Sequence, residues 1–200
     1  GLKDASSTDV VVHNGRALTS FYQCGEIYET DPRTLAPLGK AAWLDGVTPG
    51  WGVSAHTKVD EATGELLFFN YSKEAPYMHY RVVDAAGQLA HYTPIPLPGP
   101  RLPHDMAFTP RFAILNDLPL FWDPEALALG AHAVRFFPRL PSRFAIVPRR
   151  GGADDIRWFE AAPTYVLHWI NAFEDGDEVV LDGYRQDPAR GAHIELPDNL

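Results

Sequence analysis

An all-β fold is what this 200-residue chain predicts, and three observations carry it. Short runs rich in β-branched and aromatic residues recur at intervals of about ten positions. Turn-forming pairs fall between them. The 18 prolines and 16 glycines suit many short strands and loops far better than long helices.

The elements follow in order. Val10 to His13 reads as a strand, and Asn14-Gly15 after it supplies the positive φ of a tight hairpin. Ala17 to Cys24 is the returning strand, and Asp31-Pro32 marks the next reversal. Leu66 to Tyr71, Tyr77 to Val83 and Leu89 to Ile95 continue the antiparallel series, with Ala62-Thr63-Gly64 and Ala86-Gly87 as turns. Pro94 to Pro103 reads as a loop, because strands resume directly after it. They are Met106 to Phe108, Phe112 to Asn116, Ala133 to Phe137, Phe144 to Pro148, Tyr165 to Ala172 and Val179 to Asp182. Only Pro124 to Leu129 suggests a helical turn. One domain over residues 1–200 is the simplest organisation, and sandwich, barrel and propeller all accommodate such hairpins.

Composition removes several function classes. A formal charge of −9, with 17 scattered Lys and Arg, lacks the basic patch that phosphate binding needs, so no nucleic-acid partner is expected. A single cysteine, Cys24, forms no internal disulfide and fits a reducing, cytoplasmic setting. No apolar stretch approaches the roughly 20 residues that span a bilayer. Asn70-Tyr71-Ser72 fits the glycosylation acceptor pattern. The chain begins at Gly1 and ends in a polar stretch at Leu200, which makes a piece of a longer protein the expectation.

Eight histidines carry the remaining chemical interest. His79 and His91 alternate with Tyr80 and Tyr92 in amphipathic runs, and His13, His132 and His193 sit beside turn residues; all five read as satisfied surface side chains. His56 in Ser54-Ala55-His56-Thr57-Lys58, His104 in Leu102-Pro103-His104-Asp105-Met106 and His168 in Val166-Leu167-His168-Trp169 lie among apolar and small residues near strand ends. Three neutral imidazoles suit a divalent iron, zinc or copper ion. Their spacings, 48 and 64 residues, match no local zinc motif, so core histidines bonded to backbone remain the alternative. No GxSxG elbow is present, and Gly151-Gly152-Ala153-Asp154 lacks the lysine of a phosphate loop. The acidic groups Asp154-Asp155 and Asp175, Asp177, Glu178 read as solvated turns.

The three histidine neighbourhoods, in this order, resemble the carotenoid cleavage oxygenase family. Ala55-His56-Thr57-Lys58 is similar to that family's first metal-ligand segment, with threonine in place of a frequent proline. Pro103-His104-Asp105-Met106-Ala107-Phe108-Thr109 resembles the second, and His168 with Asn171-Ala172 and Glu174 the third. Asp31-Pro32-Arg33-Thr34-Leu35 and Ile156-Arg157-Trp158-Phe159-Glu160 resemble two further family stretches, so the likeness covers nearly the whole chain.

The resemblance implies part of a seven-bladed β-propeller, roughly three to four blades. It implies a ferrous ion held by four histidines, with His56, His104 and His168 as three of them and no organic cofactor. Glu26 is implied as an acceptor for the distal N–H of a ligand, His104. The implied reaction is cleavage of a carbon–carbon double bond by dioxygen, giving two carbonyl products from an apolar polyene or stilbenoid. Gly25 stands where some stilbenoid-cleaving members carry a phenol-holding lysine, which favours a carotenoid or apocarotenoid. Such substrates make peripheral contact with a membrane an expectation. A non-catalytic propeller with structural histidines is the competing reading, separable by iron content; a calcium-dependent propeller hydrolase would need carboxylate and Asn ligands, which do not flank these histidines.

Overall fold

The computed structural model describes residues 6–22, 25–46 and 52–186. Cys24 and His193 lie outside them. The first sheet runs β1 (Asp9–His13), β2 (Arg16–Ser20), β3 (Tyr28–Thr30), β4 (Pro37–Lys40). A 3-10 turn, Ala42–Gly46, follows it. The second sheet runs β5 (Lys58–Asp60), β6 (Glu65–Tyr71), β7 (Tyr77–Val83), β8 (Leu89–Pro96). The third begins with β9 (Ala107–Phe108) and β10 (Phe112–Asp117). It is interrupted by β11 (Leu120–Trp122), helix α1 (Pro124–Ala128) and β12 (Val134–Phe136), then completed by β13 (Ser142–Pro148) and β14 (Arg157–Ala161) in the order β14-β13-β10-β9. A hairpin of β15 (Trp169–Asp175) and β16 (Glu178–Gly183) ends the described chain's strands. All pairings are antiparallel.

These sheets are successive blades of a β-propeller: three of four strands and a hairpin of the next, within the three to four expected. Alternation along β6 shows how blades stack. Leu66 and Phe68 point to the first sheet and pack with Leu18, Ile27, Trp43 and Val53. Leu67, Phe69 and Tyr71 point the other way and pack with Met106, Ala113, Leu115, Ala145 and Val147 of the third. Side chains two apart share a face, so a strand covered on both faces needs an unbroken apolar run, which Leu66 to Phe69 provides with no exposed surface. The third sheet meets β15 and β16 through Ala107, Ile114 and Ile146 against Trp169, Ala172, Val179 and Leu181. Polar latches add to this apolar stacking. Arg149, just after β13, pairs with Asp60 and Glu65 at the β5–β6 turn, and Asp117 holds Arg101 at 2.6 Å and Arg143 at 2.5 Å.

Turns fall where expected. Asn14 and Gly15 have φ of 47° and 71°, and Gly64 has φ of 73° with Ala85 packed where a Cβ would stand. In α1, Asp123 caps the helix by accepting from the Glu125 N–H at 2.9 Å, and Pro124 starts it. The run expected over Tyr165 to Ala172 is displaced. Thr164 to Val166 are buried, Tyr165 makes only an isolated bridge to Gln186, and the strand starts at Trp169.

Two histidine expectations are corrected. His79 is fully buried, because β7 is enclosed by blades on both faces, and its Nδ1 lies 3.0 Å from the Tyr92 hydroxyl. His13 is buried against the neighbouring blade, 2.9 Å from the Gly64 carbonyl. Asn70 is buried and accepts a bond from Arg81, so it is no glycosylation acceptor in this fold. No helix among the described residues is long and apolar enough to cross a membrane.

Candidate metal centre

His56, His104 and His168 each stand within three residues of the first strand of a sheet: two before β5, three before β9 and one before β15. Successive blades repeat the same placement, so side chains 48 and 64 residues apart arrive at one point. The larger interval contains the inserted β11–α1–β12 excursion. His56 Nε2 lies 3.1 Å from His104 Nε2 and 3.1 Å from His168 Nε2. The three ligand atoms all fall within 4.8 Å of one another, and the rings meet edge-on with centroids 4.8 to 5.0 Å apart.

The second nitrogen of His56 identifies the lone pairs. His56 Nδ1 donates to Asp9 Oδ2 at 2.7 Å, so in the neutral ring Nε2 is the bare acceptor nitrogen. One bare nitrogen faces two others, and no single N–H satisfies both contacts. Imidazole nitrogens sit about 2.1 Å from a divalent ion, so two of them at right angles stand about 3 Å apart. The donor set therefore fits a divalent metal. Burial, reinforced by His56 and His168, pushes the His104 pKa down to about 4, which keeps it in the neutral, metal-binding form.

The sequence profile of the retinal pigment epithelial membrane protein family matches residues 1–200. The chain belongs to this family, that of the carotenoid cleavage oxygenases. It is 38% identical over 158 residues to a carotenoid 9,10(9',10')-cleavage dioxygenase 1 of Pisum sativum, covering 76% of this chain and 29% of that one. It is 32% identical over 183 residues to an isoeugenol monooxygenase of Pseudomonas nitroreducens, covering 90% and 38%. Among solved structures, a lignostilbene dioxygenase of Pseudomonas brassicacearum superposes with a TM-score of 0.76 at 34% identity, covering 88% of this chain and 37% of that one. The chain thus spans well under half the length of the relatives it matches.

Within this carotenoid oxygenase chain, Glu26 stands apart from the histidines. Its carboxylate pairs with Lys40 and accepts from the Tyr28 hydroxyl at 3.4 Å, both half-exposed neighbours in the first sheet. Glu26 precedes β3, and Tyr28 is the cross-strand partner of Lys40, which brings the ammonium to it. The acidic partner of the cluster is Asp9, on His56. Among the described residues, Glu26 contacts Lys40 and Tyr28 and none of the three histidines. Asp9 gave no local signal in sequence, being the polar first residue of an apolar run 47 positions before its histidine.

Further supports surround the cluster. The Ser20 hydroxyl donates to the Ala55 carbonyl just before His56. Trp169 and Phe108, which follow ligand segments, pack into the inter-blade cores, whereas Phe173 is exposed. Trp169 needs the bare backbone of Gly183 across the hairpin, where a Cβ would come within 2.6 Å of the indole.

Proposed function

We propose that His56, His104 and His168 are three ligands of a non-haem ferrous centre in an oxygenase that cleaves a carbon–carbon double bond, giving two carbonyl products. The observation that carries this reading is the meeting of three Nε2 atoms from three successive blades. A ferrous ion held by these neutral imidazoles would supply the binding and activation of dioxygen. The chain's own residues prepare the site. Asp9 fixes the ring orientation and tautomer of His56, and the buried surroundings of His104 keep its nitrogen unprotonated.

The substrate class is an apolar conjugated alkene, a carotenoid or apocarotenoid first. Support comes from the 38% identity to the pea carotenoid dioxygenase. The likeness to the isoeugenol and lignostilbene enzymes covers more of this chain and makes a phenolic alkene the second class to test.

The test uses the full-length protein, purified anaerobically. About one iron per chain is expected, with dioxygen-dependent release of two carbonyl fragments from an apocarotenal or a hydroxystilbene, read by mass. His104→Ala is expected to lose both. Wild-type protein without iron and without cleavage of either substrate favours the non-catalytic propeller and overturns the reading.

A further inference from the structure

Asp105 is the most connected carboxylate near the histidines, and its partners share a pattern. Its side chain is 2% exposed. Oδ1 accepts from Lys58 Nζ at 2.7 Å and from the Met106 N–H at 2.8 Å. Oδ2 accepts from the Trp169 N–H at 2.9 Å. Lys58 is two residues after His56, Asp105 itself follows His104, and Trp169 follows His168. One buried carboxylate therefore touches all three ligand-bearing segments. The Asn116 side-chain amide, donating to the Asp105 carbonyl at 2.9 Å, anchors the backbone from which it reaches.

The topology gives such a link a role. β5, β9 and β15 belong to three different sheets, and no backbone ladder joins them. A ladder fixes strands within a blade to a fraction of an ångström. Between blades, apolar packing sets the spacing, and polar latches such as Arg149 with Asp60 and Glu65 or Arg111 with Glu174 each tie only two blades, which leaves some sliding among all three. Metal-ligand geometry tolerates little of it, since a site about 1 Å too loose loses function. Directional bonds from a single atom group remove that freedom.

We propose that Asp105 is the positioning residue that sets the three histidine-bearing segments relative to one another. The functional consequence rests on the metal-site reading above; the geometric one does not. A carboxylate suits the task because two oxygens accept up to four donors, and here three donors converge on it. Asparagine has the same shape but one acceptor oxygen, and its amide would face either the Lys58 ammonium or the Trp169 N–H.

Asp117 is the control. It is a carboxylate of similar burial, tied to Arg101 and Arg143 and remote in contact from the histidines. The experiment compares Asp105→Asn, Lys58→Met and Asp117→Asn in the full-length protein by three measurements: thermal midpoint, affinity and visible spectrum for cobalt(II), and the metal-free crystal structure. Asp105→Asn is expected to weaken cobalt binding about 10- to 100-fold, the cost typical of lost partners behind metal ligands. It should also alter the cobalt spectrum and move at least one Nε2–Nε2 separation by about 1 Å without metal. Lys58→Met should act in the same direction but less, and it carries the test if Asp105→Asn does not fold. Asp117→Asn should lower the thermal midpoint and leave affinity and spectrum unchanged. Unchanged Nε2 separations in Asp105→Asn, or in Lys58→Met in its place, overturn the proposal. Wild-type protein that binds no cobalt overturns the metal-site reading instead, and the metal-free separations still decide the role of Asp105.

Discussion

The head of the first sheet and the heads of the next three have the same place in the fold but carry different chemistry. At the first stands Asp9; at the others stand His56, His104 and His168. The three imidazoles direct nitrogens at one another, whereas the carboxylate stands behind one of them and accepts its Nδ1 proton. A repeated architecture delivers a side chain to the same neighbourhood once per blade. Under the proposed metal reading, residue type then decides whether that side chain is a ligand or the support of one.

The largest effect expected from this contrast comes from removing a ligand. His56→Ala should weaken cobalt or iron binding by more than about 100-fold, beyond the range seen for lost supporting partners. Asp9→Asn keeps the volume but replaces the acceptor charge, and about a 10- to 100-fold loss is expected, toward the lower end because Asp9 is one-third exposed. The double variant should bind no worse than His56→Ala alone, since Asp9 acts only through that ring. Equal losses for both single variants, or strictly additive losses in the double, would erase the distinction between ligand and support. Metal titration of the three proteins against a chelator of known affinity measures all of these.

The same contrast explains what could be read from the sequence. Long enclosed strands were legible because Leu66 to Phe69 is an unbroken apolar run and Tyr77 to Val83 is rich in aromatic and β-branched residues, interrupted only by His79 and Arg81, each between turn signals. Short strands were legible only in part: Val134–Phe136 lies within a run rich in apolar and aromatic residues, whereas others gave no pattern. Tyr28–Thr30, Lys58–Asp60 and the wholly exposed Pro37–Lys40 are too short to show a period, and they are held by their neighbours' ladders. At the site, the histidine neighbourhoods were visible as apolar surroundings near strand ends, but convergence is a property of blade stacking and entered only through a family likeness. Asp9 and Asp105 belong to contacts across 47 and 64 positions, for which local pattern holds no information. Glu26 was placed by likeness alone, and among the described residues its carboxylate meets the Lys40 ammonium.

A smaller effect separates the head of a blade from its interior. His104 and His79 both have pKa values pushed down to about 4, and burial is the leading cause in each. His104 is neutral at a cluster of converging nitrogens, while His79 is neutral inside the second blade, with Arg81 adding to the effect of burial. For His79 the sign follows from linkage. Above pH 6.5 the ring is neutral whether the chain is folded or unfolded, so its contribution is constant. Between about pH 6.5 and 4 the unfolded chain takes up a proton that the folded one refuses, and stability falls with falling pH. The loss approaches 3 kcal/mol on an order-of-magnitude estimate of about 1.4 kcal/mol per pH unit, and levels off once the folded ring is protonated too. His79→Asn should therefore be less stable at neutral pH but lose less on acidification, seen as a shallower slope of unfolding free energy against pH in metal-free protein. Cobalt binding at pH 7.5 should match wild type, because His79 touches none of the three ligands. An unchanged slope would mean that the interior histidine accepts its proton without unfolding the blade, and the difference between the two buried rings would lie in position alone.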